Sequence, residues 1–158
     1  MRTKKVWIGV PKMRITQEAD YALRIVYQLA RGGGVMDAKA IADSVNVPER
    51  FTVKILRKLV LSGIIRSYKG AQGGYELSEA PSEISMKRVV EVIDGPFEIS
   101  RCLDSSYECS RNGSNKKCCT FHLVFDKIND TIMEKLDRVT LDEVINDEIG
   151  IDTILAKI

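Results

Sequence analysis

The 158-residue sequence has one histidine, four prolines, 6% aromatic residues and no long hydrophobic run. Because a membrane-spanning helix needs roughly 20 consecutive apolar residues, we expect no membrane partner. The N-terminal apolar stretch, residues 6–10, is shorter than the roughly 7–15-residue core of a signal peptide, and no small-residue cleavage site follows it. Secretion therefore has no support, and we expect a cytoplasmic protein.

The sequence also lacks the residue patterns of common enzymes. It has no phosphate-binding P-loop and no evident pair of catalytic carboxylates. His122 follows Cys119 by three residues, but nothing in the sequence supplies a substrate pocket beside this Cys/His pair. We therefore predict that the protein is not an enzyme and has no small-molecule substrate.

The charged residues are distributed unevenly along the chain. Residues 1–80 hold fourteen Lys and Arg against seven Asp and Glu, whereas residues 81–158 hold ten against fifteen. A basic first half joined to an acidic second half indicates two functions, of which the first faces a polyanion.

The first half carries the signals of three helices followed by a β-hairpin. The helices are predicted to begin at the capping or starting residues Thr16, Asp37 and Pro48 and to end near residues 31, 44 and 62. Residues 64–69 and 75–77 are predicted strands joined by the glycine-rich loop 70–74. This order predicts a mainly α fold with a small β-hairpin wing, a winged helix-turn-helix.

The second half is predicted to contain helices around a cysteine-rich loop. Ser85 can cap a fourth helix to about residue 93, and the loop occupies about residues 98–118. Apolar residues spaced by threes and fours predict a long helix over about 120–139. Thr140 and Glu143 form a capping-box pattern for a final short helix.

The third helix and the hairpin are the candidate DNA-binding surface. Residues 50–69 contain six Lys and Arg and no acidic residue, although an ordinary solvated helix face is the alternative. We expect Phe51, Ile55, Leu56 and Leu59 to face inward, and Arg50, Thr52, Lys54, Arg57 and Lys58 to face outward. A basic helix suits the major groove, where Arg50 can pair with guanine and Val53 or Thr52 can meet a thymine methyl group. The candidate DNA contacts are Arg14, Glu49, Arg50, Thr52, Val53, Lys54, Arg57, Lys69, Gln72 and Gly73.

Four cysteines, Cys102, Cys109, Cys118 and Cys119, lie within one 18-residue window. A disulfide framework usually spreads its cysteines, so this clustering indicates a metal site, an iron–sulfur cluster or a thiol switch. Zinc ranks behind a cluster because the paired C-x2-C knuckle is absent. The spacing between Cys119 and His122 places both on one helix face, which favours Cys119 over Cys118 as a ligand, although His122 as a plain surface histidine is the alternative.

Four segments together carry a family resemblance: residues 13–23 (MRITQEADYAL), 70–75 (GAQGGY), 119–122 (CTFH) and 139–144 (VTLDEV). They resemble the IscR/NsrR-type winged-helix transcription regulators of the Rrf2 family, and most closely its IscR-like members. The resemblance implies a homodimer that binds an operator in double-stranded DNA, acts as a repressor and carries an iron–sulfur cluster. It implies 2Fe-2S in preference to 4Fe-4S, and a cluster that can be absent from an aerobic preparation. The signal sensed would be cluster supply, iron, nitric oxide or redox state.

The resemblance also assigns residues. The IscR ligands fall on Cys102, Cys109, Cys119 and His122, with Cys118 as an alternative, and the aspartate ligand of NsrR-like members falls on Asp20. The spacing between the cysteines is longer than in IscR, Val53 stands where IscR has a promoter-discriminating glutamate, and Lys69 replaces an arginine of the wing.

We therefore divide the chain into an N-terminal extension that is not native or is a mis-start (1–12), a winged helix-turn-helix DNA-binding domain (13–80), a linking helix with the cluster-binding loop (81–118), and a dimerisation helix with a C-terminal helix (119–158). Loss of the cluster would alter the spacing of the two recognition helices. Two alternatives stay open: a regulator of the same family controlled by thiol oxidation or a partner protein, and a zinc-stabilised interaction module that binds no DNA.

Overall fold

The computed structural model describes residues 15–70, 72–111, 113 and 119–158. The extension 1–12, Arg14 and Cys118 lie outside these residues. The elements are α1 Gln17–Gly32, α2 Ala38–Val45, α3 Glu49–Leu61, β1 Ile65–Tyr68, β2 Gly74–Leu77, α4 Met86–Asp94, α5 Thr120–Asp137, α6 Leu141–Ile145 and α7 Ile151–Leu155. Short 3-10 turns occupy Pro81–Glu83 and Arg101–Leu103. None of the described helices is long and apolar enough to cross a bilayer.

Three of the predicted helix starts are confirmed by their capping bonds, whereas Pro48, predicted as the first helical residue of α3, is the N-cap residue that precedes Glu49. The side chains of Thr16, Asp37 and Ser85 accept hydrogen bonds from backbone N–H groups three residues later, at 3.1, 2.9 and 3.2 Å. Each bond satisfies an N–H that has no partner inside its helix. The capping box of Thr140 and Glu143 is also present at the start of α6.

One hydrophobic core joins the first four helices to the hairpin and α6. The helix α1 contributes its buried stripe, and α3 packs Ile55, Leu56 and Leu59 against it. Leu141 of α6 joins the same cluster. Burial of each such aliphatic side chain contributes roughly 1.5–3 kcal/mol, so this core fixes the outer face of α3 in space.

The wing is a two-stranded hairpin that is also bonded to the segment between α1 and α2. Strands β1 and β2 pair antiparallel, from Ile65 opposite Leu77 to Tyr68 opposite Gly74. Beyond this ladder, Met36 and Tyr75 exchange two backbone hydrogen bonds of 2.9 and 2.8 Å. A Cβ atom on Gly74 would lie 2.4 Å from the Met36 carbonyl oxygen, so this approach requires glycine.

The predicted inner face of α3 is wrong at two positions. Thr52, expected to face outward, is fully buried, whereas Phe51, expected to face inward, is 41% exposed. The inner stripe is Thr52, Ile55, Leu56 and Leu59, which follows the i, i+3, i+4, i+7 pattern. Phe51 lies one position out of this phase, and its ring packs 4.7 Å from the guanidinium of Arg50.

The long helix α5 forms as predicted, but most of its apolar residues are uncovered. Phe121 is 65% exposed, and Leu123, Val124, Phe125 and Ile128 are also exposed. After α6 the chain forms α7, an additional short helix that the sequence pattern did not indicate. Together α5, α6 and α7 line an apolar groove of about 490 Å³.

Candidate nucleic-acid interface and cysteine loop

Five of the predicted DNA contacts share one surface of α3. The side chains of Glu49, Arg50, Val53, Lys54 and Arg57 line a shallow depression on the outer face of this helix. Thr52 is the exception, because its side chain points into the core and its hydroxyl lies 3.4–3.5 Å from the carbonyl oxygens of Val47 and Pro48. The residue therefore supports the helix and presents nothing to a groove.

The tip of the wing extends this surface. Lys69 and Gln72 are exposed, and Gly73 is half-buried. A Cβ on Gly73 would lie 2.4 Å from the Tyr68 carbonyl oxygen, and Gly70 has a φ of 104°, so the tight loop requires both glycines. The structure thus places the positive charge of Lys69 beside the tight glycine loop at the end of the hairpin.

Two acidic residues from outside segment 50–69 form ion pairs with three of its six basic residues. Glu18 of α1 lies 3.1 Å from Lys54 Nζ and 2.9 Å from Lys58 Nζ, and Glu76 of β2 lies 2.8 Å from Arg66 Nε. The contact with Lys58 has the largest effect on the pKa of Glu18 and lowers it. Burial raises this pKa and Lys54 lowers it, so that the pKa of Glu18 lies below its ordinary value. The Tyr68 hydroxyl and then Arg66 lower the pKa of Glu76.

Three basic residues, Arg50, Arg57 and Lys69, make no ion pair within the described part of the chain. They remain available to an external anion. The sequence of segment 50–69 does not predict these ion pairs. Glu18 is brought to the segment by the packing of α1 against α3, and Glu76 by the pairing of β2 with β1.

The described cysteines, Cys102, Cys109 and Cys119, are all half-buried. Cys102 lies in the 3-10 turn Arg101–Leu103, with its Sγ 3.2 Å from Ser100 Oγ. Cys109 exchanges backbone hydrogen bonds of 3.3 and 2.7 Å with Gly113. Cys119 is the N-cap of α5, and its carbonyl oxygen accepts from the N–H of Leu123 at 3.1 Å.

His122 lies in the first turn of α5, and its buried Nδ1 has no hydrogen-bond partner among the described residues. Such orphaned polar atoms are uncommon and point to a missing partner. Thiol sulfur and imidazole nitrogen are the donor types that soft metals and iron–sulfur clusters take, so the residues suit such a group in chemistry. In the described segments no three His, Cys, Asp or Glu side chains lie together in a metal-binding arrangement. Asp20 is in an ion pair with Arg24, 2.7 Å away on α1.

The end of α4 connects the two regions. Asp94 accepts hydrogen bonds from the backbone N–H and the hydroxyl of Thr16, and the carbonyl of Ile93 accepts from Lys58 Nζ at 3.2 Å. Beyond Gly95, the N–H of Ile99 donates to Asn129 Oδ1 of α5 at 3.1 Å. The segment that leads into the cysteine loop is therefore bonded to α1, α3 and α5.

Comparison with known proteins agrees with this geometry. The Rrf2 family model, described as an iron-dependent transcriptional regulator, matches residues 15–147. An rrf2-like HTH-type regulator of Rhodobacter capsulatus is 30% identical over 137 residues, which cover 83% of this chain and 91% of that protein. NsrR of Bacillus licheniformis is 26% identical over 151 residues, covering 91% and 100% of the two chains. The structure of CymR, the global cysteine regulator of B. subtilis, superposes with a TM-score of 0.65 at 27% identity, covering 85% and 97%. These relatives are named as transcriptional regulators and not as enzymes, and the chain belongs to the Rrf2 family of DNA-binding, winged-helix transcriptional regulators.

Proposed function

We propose that the protein is a homodimeric, cytoplasmic repressor whose affinity for an operator depends on an iron–sulfur cluster held by its cysteine loop. The observation that carries this proposal is the bonding at the end of α4. Ile93 and Asp94 hold α3 and the start of α1, and the chain enters the cysteine loop immediately afterwards. A change in the loop thus has a short physical route to the DNA-binding surface.

The DNA contacts follow from exposure and charge. Arg50 at the start of α3 suits a bidentate pair with guanine, and Val53 suits a thymine methyl group. Arg57 and Lys69 suit phosphates, because both cations are exposed and make no ion pair in the described chain. Glu49, Gln72, the backbone of Gly73 and, by its place before α1, Arg14 complete the proposed interface. Lys54, also predicted as a contact, lies on the same surface in an ion pair with Glu18.

The dimer would form through α5. Phe121, Phe125 and Ile128 expose a continuous apolar face on this helix, which is unusual in a soluble monomer. A second copy of the chain would cover that face and hold two α3 helices at the spacing of successive major grooves, about 34 Å. The unit 13–80 would then bind DNA, 81–118 would carry the cluster, and 119–158 would dimerise.

The proposed cluster ligands are Cys102, Cys109, Cys119 and His122, with Cys118 and Asp20 as alternatives. A 2Fe-2S cluster fits three thiols and one imidazole better than a 4Fe-4S cluster, and it would supply one-electron redox chemistry and reactivity toward oxidants. The chain would contribute the cysteine thiols and the buried Nδ1 of His122. Iron supply, nitric oxide and redox state are the proposed signals.

A second candidate is a regulator controlled by its thiols or by a partner protein, without a cluster. The similarity to CymR supports it, and the Sγ of Cys102 already has a protein hydrogen-bond partner in Ser100. Membership in a family of transcriptional regulators argues against a zinc module that binds no DNA.

The test is DNA affinity with and without iron. Wild-type protein, purified anaerobically or stripped by a chelator, is titrated with genomic fragments, in parallel with Cys102→Ala and Arg50→Ala. We expect the two wild-type forms to differ by about fivefold or more, Cys102→Ala to lose this difference while still binding DNA, and Arg50→Ala to bind more weakly in both forms. Equal affinity of the two wild-type forms would contradict cluster control and favour the second candidate.

A further inference from the structure

We infer that Glu18 limits the affinity of this regulator for non-operator DNA by holding Lys54 away from the phosphates. The inference rests on the proposed placement of α3 against DNA. Glu18 lies on α1, outside α3 and the wing, and the two lysines of α3 that it contacts, Lys54 and Lys58, have different roles.

The carboxylate of Glu18 is shared between the two lysines. Its Oε2 lies 3.1 Å from Lys54 Nζ and its Oε1 lies 2.9 Å from Lys58 Nζ. The two lysines are four residues apart and therefore lie on one side of α3. One acidic side chain thus pairs with two lysines, and its single negative charge lowers the net positive charge of the face that would meet the polyanion by one unit.

The two lysines are held unequally. Lys58 has a side chain that is 35% exposed and also donates to the carbonyl of Ile93, so it is fixed between three helices. Lys54 has a side chain that is 60% exposed and bonds to Glu18 alone among the described residues. Lys58 therefore acts as a structural anchor, whereas Lys54 can exchange its carboxylate partner for a phosphate.

The surroundings leave room for that exchange. A cleft of about 370 Å³ opens between the start of α1 and α3, lined by Thr16, Glu18, Tyr21, Phe51 and Lys54 among others. Because the electrostatic, sequence-independent contacts supply most non-specific affinity, removing one lysine from the phosphates lowers that affinity and leaves base contacts by Arg50 unchanged. Glu18 would thereby increase discrimination between operator and other DNA.

The test is a double-mutant cycle between Glu18→Gln and Lys54→Ala in the full chain. A glutamine is neutral and offers a single carbonyl oxygen, so it cannot pair with both lysines. Lys58 keeps its bond to the Ile93 carbonyl, whereas Lys54 loses the ionic attraction of its one described partner. Binding to a short random-sequence duplex is measured between about 50 and 200 mM salt, where each added phosphate contact increases the salt slope by about 0.9. The matched control is Glu148→Gln, which changes the net charge of the protein by the same amount. Glu148 is far from Glu18, because its neighbour Asp147 pairs with Arg31 at the opposite end of α1.

We expect Glu18→Gln to bind the random duplex about three- to tenfold more tightly at low salt, with a salt slope steeper by about one contact. This gain in affinity should vanish when Glu18→Gln is combined with Lys54→Ala. Lys54→Ala alone should change the affinity of the wild-type protein less than twofold. This second measurement can be made even if Glu18→Gln folds poorly. Unchanged or weaker binding by folded Glu18→Gln, or a large loss in Lys54→Ala alone, would overturn the inference. Arg50→Ala separates a failure of this inference from a failure of the proposed function. If Arg50→Ala loses DNA binding, the proposed DNA interface stands whatever the Glu18 variants show, whereas full binding by Arg50→Ala would contradict that interface.

Discussion

The carboxylate of Asp94, the last residue of α4, accepts hydrogen bonds from both the backbone N–H and the hydroxyl of Thr16, at 3.1 and 2.5 Å. The same hydroxyl accepts from the N–H of Ala19 and so caps α1. The two residues are 78 positions apart in sequence. The start of the DNA-binding half is therefore fixed by the residue after which the chain turns toward the cysteine loop.

We predict that Asp94→Ala lowers the free energy of unfolding by about 1–3 kcal/mol, because two hydrogen bonds to a charged acceptor are lost. It should also reduce the difference in DNA affinity between protein with and without iron. Urea unfolding and DNA titration measure the two effects, and Asp152→Ala in α7 is the control. A destabilised variant that keeps the full iron-dependent difference would show that this contact does not carry the coupling.

Thr52 is predicted to matter for packing and not for DNA contact. Its hydroxyl makes long hydrogen bonds of 3.4–3.5 Å, and the oxygen of Pro48 also accepts two backbone N–H groups. Thr52→Val should therefore change the free energy of unfolding by less than about 1 kcal/mol, whereas Thr52→Ala leaves a cavity and should cost about 1–2 kcal/mol. Thermal unfolding separates the two variants, and a loss of DNA affinity in folded Thr52→Val would contradict the buried placement.

Gly74→Ala should loosen the wing. The added Cβ would lie 2.4 Å from the oxygen and 2.7 Å from the carbon of the Met36 carbonyl, so the two backbones must separate at a cost of about 2 kcal/mol or more. Gly34→Ala is the matched control, since nothing lies within 4 Å of its Cβ. Chemical denaturation of both variants is the measurement, and equal stability would show that the close approach is unimportant.

The ion pair of Glu79 with Arg88 predicts a pH-dependent contribution to stability. Both Glu79 oxygens bond the guanidinium, at 2.5 and 2.9 Å, and this hydrogen bonding lowers the pKa of Glu79. Because the folded-state pKa lies below that of the unfolded chain, about 4.3, the pair stabilises the fold above this pH, and the contribution is lost as the pH falls through the lowered pKa. The difference in melting temperature between wild type and Glu79→Gln should therefore be present at pH 7 and shrink below about pH 4. A difference that does not vary with pH would exclude this linkage.

Ile128→Glu should convert the protein into a monomer. Ile128 lies 45% exposed on the apolar face of α5, and a carboxylate there would be buried without a partner in the proposed dimer. Asp130→Arg, about half a turn away on the same helix, changes the charge by two units, compared with one unit in Ile128→Glu, and should still leave the dimer intact. Light scattering gives the mass of each variant, and a dimer of unchanged affinity in Ile128→Glu would exclude this face as the interface.

The sequence predicted those parts of the fold that depend on local interactions. The helix starts at Thr16, Asp37 and Ser85 are confirmed because a cap is formed by residues within one turn. The predicted inner face of α3 is wrong at Phe51, since the prediction favours an aromatic side chain over the small Thr52. In the structure Thr52 is buried, and its hydroxyl bonds to the carbonyl oxygens of Val47 and Pro48 inside the core.

The unpredicted features depend on tertiary contacts. The pairing of Glu18 with Lys54 joins residues 36 positions apart, so segment 50–69 looked more uniformly basic than its surface is. The sequence predicts a ligand-bearing loop over 98–118, and among the described residues no complete set of metal ligands lies together. The ligand assignments stay predictions from the family resemblance.

The most direct test of cluster control is the absorption spectrum of anaerobically purified protein, together with its iron and acid-labile sulfide content. We expect visible absorption bands and about two iron and two sulfide ions per chain, both lost in Cys102→Ser, Cys109→Ser and Cys119→Ser. A colourless wild-type protein that holds zinc or no metal, even after anaerobic reconstitution with iron and sulfide, would contradict the cluster and leave the thiol- or partner-controlled regulator as the function.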